Sequence, residues 1–83
     1  MPYIKESRKQ EISAFGGCLR DSSAGDINYL FTQLCQQYLK IKGECYQTYN
    51  DLMGALEGAK LELYRRKIAP YEDKKIQENG DVY

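Results

Sequence analysis

Ile27, Leu30, Phe31, Leu34, Tyr38 and Ile41 recur three and four residues apart, with Cys35 and Leu39 beside them. That spacing lines one face of an α-helix and does not suit the two-residue period of a strand. The segment also carries helix boundaries. Asp21-Ser22-Ser23-Ala24-Gly25 reads as a loop, and Asp26 reads as an N-cap. Lys40 and Lys42 complement the dipole in the last turn, and Gly43 supplies a C′ stop. A helix is therefore expected over 26–42. A second stripe, Ile12, Phe15 and Leu19, predicts a helix over 5–19 with Ser7 as its N-cap. Gly16 and Gly17 weaken it by about 1 kcal/mol each relative to alanine.

A third helix is expected over 46–69. At 100° per residue, Tyr46, Tyr49, Leu52, Met53, Leu56, Ala59, Leu63 and Tyr64 fall within an arc of about 140°. Pro70 disfavours helical geometry in the residue before it, so it ends or kinks this helix. It also suits the first position of a short following helix over 70–78. Asn79-Gly80 reads as a cap or turn, and 79–83 as a tail. The expectation is all-α: one domain over 1–83, a small bundle of three main helices plus a short C-terminal helix after Pro70.

A chain of 83 residues buries only roughly 60–65% of its unfolded surface. This one has no tryptophan and only two phenylalanines, so its core must come from aliphatic residues and eight tyrosines. Cores that thin are commonly completed by a disulfide, a metal or a partner subunit. Three cysteines form an odd set without CxxC spacing, which suits reduced thiols in the cytosol. Cys18 and Cys35 read as small buried hydrophobes, and Cys45 as the exposed thiol. No metal site is expected, so a helical homo-oligomer is. Gly54 and Gly58 sit four apart on the third helix, with Leu61 and Arg65 continuing the row. Such a row lets another backbone approach closely, and the glycine pair costs about 2 kcal/mol of helix propensity. Val82 and Tyr83 end the chain and either fray or dock on a neighbour. Gly54, Gly58, Leu61, Val82 and Tyr83 are therefore the expected oligomer interface.

Twelve basic and twelve acidic residues balance to zero, which disfavours duplex nucleic acid as a partner. Met1 to Glu11 shows no signal-peptide pattern, and no apolar run approaches the roughly 18 residues of a membrane span. The chain has no histidine, and so lacks the commonest general base near neutrality and the commonest zinc ligand. Gly16-Gly17 lacks the lysine and serine of a phosphate loop. Glu72-Asp73 reads as solvated charge or as first-turn partners of a helix dipole. A non-enzymatic protein without a cofactor is expected.

Charge is nevertheless uneven. Lys60 to Lys67 holds four cations against one anion. Arginine grips phosphate bidentately and tyrosine offers a stacking face, so Lys60, Tyr64, Arg65, Arg66 and Tyr71 form the expected ligand set. Each has a plainer alternative. Lys60 lies within the apolar arc and either snorkels its amine to water or meets an anion at an interface. Arg65 and Arg66 point about 100° apart, so one helix cannot aim both at one ligand. They could instead form ion pairs with Glu62, Glu72 or Asp73 that tie down the last helix.

Several stretches carry a family likeness: Met1-Pro2-Tyr3-Ile4, Gly25-Asp26-Ile27-Asn28-Tyr29, Tyr46-Gln47-Thr48-Tyr49-Asn50 and Gly54-Ala55-Leu56-Glu57. Leu61-Glu62-Leu63-Tyr64-Arg65-Arg66, Pro70-Tyr71-Glu72-Asp73 and Asn79-Gly80-Asp81-Val82-Tyr83 continue it. The chain resembles a family of short bacteriophage and bacterial proteins with no assigned activity. It departs from them in the first helix, at Gly16 and Gly17. The resemblance implies a small phage-type protein in the cytoplasm of a bacterial host. In that setting, one expectation is sequestration of a phosphorylated nucleotide signal of bacterial defence at a subunit interface. The alternative is a protein-protein inhibitor or adaptor, or a structural accessory, acting through an exposed helix face.

Overall fold

The computed structural model describes residues 3–12, 19 and 21–83. Every regular element among them is helical: α1 (Glu6–Ile12), α2 (Ala24–Lys42), α3 (Tyr46–Leu63), a π-helical segment (Tyr64–Ile68) and α4 (Ala69–Asn79). Residues 13–18 of the expected first helix, with Phe15, Gly16, Gly17 and Cys18, lie outside the described residues. The part that is described starts one residue before Ser7, and the Lys5 carbonyl accepts from the amides of Arg8 and Lys9.

α2 begins two residues earlier than expected, because Ser23 rather than Asp26 is its N-cap. The Asp26 amide donates to Ser23 Oγ at 3.3 Å, and the Ser23 amide donates to Asp26 Oδ2 at 2.9 Å. This reciprocal box satisfies two amides that a helix start otherwise leaves open. The other end matches the sequence reading. Gly43 takes φ 86°, and its amide donates to the Leu39 carbonyl. The chain turns through 43–45, and α3 packs back on α2.

Pro70 does not end the third helix. Helical φ and ψ run through Leu63, Tyr64, Ile68 and Ala69, so α3, the π segment and α4 are one continuous rod. In an α-helix the Pro70 ring would collide with the Arg66 carbonyl and leave it without a donor. The π segment relieves this by widening one turn, and the Ala69 amide donates to the Tyr64 carbonyl five residues back. A π turn acts as a one-residue insertion, so it rotates every later side chain by about 100° relative to an uninterrupted helix. The rod ends at Gly80, φ 89°, whose amide donates to the Ile76 carbonyl.

The rod accounts for the longest dimension of the molecule, 49 Å. α2 accompanies only its first half. α4 has substantial contacts with the π segment it continues, and with no other element among the described residues. The radius of gyration is 16.6 Å, against about 12 Å for a compact domain of this length.

The expected core stripe is not enclosed. Among the described residues no apolar side chain is buried, and the one buried side chain is Thr48. Leu52 of the stripe is half-buried, while Tyr46 and Met53 are 83% and 68% exposed. Total exposed surface is 7686 Å², whereas a compact monomer of this mass exposes about 5,100 Å².

Candidate functional site

The cationic stretch folds onto itself around one carboxylate. Arg65 and Arg66 stand three and four residues after Glu62, the two offsets that neighbour it on a helix surface. Arg65 Nη2 donates to Glu62 Oε1 at 3.3 Å and to Oε2 at 3.2 Å. Arg66 Nε lies 3.6 Å from Glu62 Oε2. The third member comes from the other end of the chain. The Tyr3 hydroxyl donates to Glu62 Oε2 at 2.7 Å and accepts from Arg66 Nη2 at 3.2 Å. The Tyr3 hydroxyl, ahead of the two guanidiniums, holds Glu62 below its ordinary pKa. The same hydroxyl, ahead of Glu62, raises that of Arg66.

Tyr3, Glu62, Leu63, Arg66 and Lys67 line an open surface hollow of about 540 Å³. The remaining expected ligand residues do not converge there. Lys60 pairs with Glu57 at 3.7 Å. Tyr71 carries the Lys75 ammonium over its ring, 5.5 Å from the centroid. Tyr64 is about half exposed on the opening turn of the π segment. Of the two weighed arrangements, the ion-pair network is the one seen for Arg65 and Arg66, and its anion is Glu62. Sequence spacing pointed to Glu62 but carried no signal for Tyr3, which reaches the cluster across 59 residues.

The expected interface residues are also spread out. A Cβ built on Gly54 meets nothing within 4 Å, and Gly58 is half-buried. Leu61 is 55% exposed. Val82 and Tyr83 are fully solvated, and the Tyr83 amide donates to Asp81 Oδ1.

Two other features have local order. Cys45 is exposed at the start of α3, and Thr48 Oγ1 lies 3.3 Å from its sulfur. That hydroxyl, together with the first amides of the helix, lowers the thiol pKa. Tyr49 donates to Glu44 Oε1 at 2.9 Å, which raises the phenol pKa. An apolar concavity lies on α2: Leu19, Ile27, Leu30, Phe31 and Leu34 border a groove of about 620 Å³.

A family model described as a domain of unknown function (DUF6899) matches residues 1–82. The chain belongs to this family. No curated protein and no solved structure matches it. The DUF6899 match spans both partners of the Tyr3 to Glu62 contact and the whole α2 groove. Among the described residues, no DUF6899 helix is long and apolar enough to cross a membrane.

Proposed function

We propose that this DUF6899 protein is a non-enzymatic association module, a helical homo-oligomer whose apolar faces are completed by other protein surfaces. One observation carries the reading: among the described residues the chain encloses no apolar side chain, yet its helices bear regular apolar stripes. Exposed apolar surface on this scale marks an interaction site rather than a solvated one. The lack of histidine anywhere in the chain supports a binding role over acid-base catalysis. The phage-type setting implied by the sequence resemblance fits an inhibitor or adaptor that engages a host or phage protein once assembled.

Folding coupled to association makes the melting temperature depend on protein concentration. Circular dichroism from about 1 to 100 μM is expected to show Tm rising by roughly 5–10 °C, given 4–8 °C per kcal/mol for a domain this small. A cooperative melt unchanged over that range would refute the reading.

A second reading, sequestration of a phosphorylated nucleotide, is supported by the hollow that gathers Tyr3, Arg66 and Lys67. An anion there would have to compete with Glu62 for Arg66, so this reading ranks below the first. A nucleoside diphosphate at millimolar concentration decides it: a Tm shift lost in Arg66→Ala supports the nucleotide site, and no shift removes it.

A further inference from the structure

Ala24, Ile27, Phe31, Leu34, Tyr38 and Ile41 alternate spacings of three and four along α2. That seven-residue period is the seam of one helix against another. α3 does not fill it. Its contacts fall on the adjoining side of α2, where Cys35 and Leu39 are half-buried and Leu56 faces them. On the seam itself Ile27 is 38% exposed, Phe31 52%, Leu34 59% and Ile41 78%. We infer that the occupant of this seam is α2 of a second copy of the chain, running antiparallel about a two-fold axis at Leu34. The inference rests on the association reading above and names its partner.

Three observations select a second copy in this orientation. The first is area. The chain exposes 7686 Å², about 2,600 Å² more than a compact monomer of its mass. A standard interface covers only about 800 Å² per partner. Two helical hairpins that meet face to face form a four-helix bundle, which encloses stripes that neither hairpin can enclose alone.

The second is charge. No residue from Ile27 to Leu39 is charged, so two copies of the face meet without repulsion or a buried ion. A partner with a charged face would leave its own charges unpaired against it. The third is polarity. Asp26 stands at one end of the neutral stretch, and Lys40 and Lys42 at the other. Antiparallel pairing sets each acid beside the partner's lysines and opposes the helix dipoles, whereas parallel pairing sets like beside like. The register agrees: with Leu34 on the axis, Ile27 meets Ile41 and Asp26 meets Lys42, while Tyr38 meets Leu30 and Phe31 falls one position from Tyr38.

The test uses the wild-type chain. Size-exclusion chromatography with light scattering is expected to give about 19 kDa, twice the 9.6 kDa of one chain. Carbodiimide coupling of an isotopically mixed sample is expected to join Asp26 of one copy to Lys40 or Lys42 of the other. Within one helix these residues are about 21–24 Å apart, beyond a zero-length link. Leu34→Glu is expected to abolish the dimer, and Leu61→Glu, off the seam on α3, to leave it intact. A dimer that lacks the Asp26 link and is lost in Leu61→Glu would overturn the α2 seam and leave the association reading standing. A monomer without a cooperative melt would overturn the second copy as occupant while still requiring some other protein. A monomer that melts cooperatively at every concentration would overturn both.

Discussion

Glu62 gathers a tyrosine and two arginines from opposite ends of the chain, and its protonation therefore reports on the fold. Its folded pKa is lowered, so its contribution to stability is present above the unfolded glutamate value and is lost as pH falls through the folded one. Glu62→Gln is expected to melt about 2–4 °C below wild type near pH 6, and the two curves should converge as pH falls through the lowered pKa of folded Glu62. Tyr3→Phe should give the smaller loss and move the wild-type acid transition toward the ordinary glutamate range, because the phenol is the main cause of the lowering. Thermal melts across that pH range check both. The arginine half of this cluster was legible in the sequence, since offsets of three and four from Glu62 follow from helix geometry alone. Tyr3 was not, because no local spacing encodes a contact across 59 residues.

Among the elements, α2 was the most legible. Its apolar period, terminal lysines and Gly43 stop are local signals, and the structure moved only its start, where Ser23 and Asp26 cap each other. The long rod was legible as far as Tyr64. Beyond that point a uniform 100° step fails, because the π turn inserts a residue and sets every later side chain about 100° from where that step would put it. Proline announces a disturbance in a helix but does not say whether the chain will break, bend or widen. Pro70→Ala removes the reason for the wide turn, so the segment should close to a regular α-helix. We expect about 1 kcal/mol of added stability, a fraction of the roughly 3 kcal/mol that separates proline from alanine in a helix interior. Urea denaturation measures that gain, and a rise in ellipticity at 222 nm should accompany it. No gain would mean that residues other than Pro70 set the π turn.

For the whole molecule, the balance of twelve basic against twelve acidic residues governs how the protein meets its surroundings. Apolar association between neutral faces responds weakly to ionic strength, because salt screens only the charges at the ends. Raising salt from about 50 to 500 mM should change the apparent self-affinity less than threefold, and duplex DNA should not be retained even at the lower value. Sedimentation at both salts checks the first expectation and a gel-shift titration the second. The helical class could be read from the period of the apolar residues. The lack of buried apolar side chains among the described residues could not, because a stripe of leucine and tyrosine looks the same whether its cover comes from the same chain or from another.

The uncovered stripes of α2 and α3 also bear on how long such a chain would last in a cell. When a fold is completed only by assembly, scarcity is a structural defect. At low copy number the chain would spend its time open and within reach of proteases, and its degradation would slow once enough copies had accumulated to enclose one another. On the proposed association, abundance would then rise with expression as a threshold rather than a line, so the same apolar faces that build the assembly would also set the dose at which it exists.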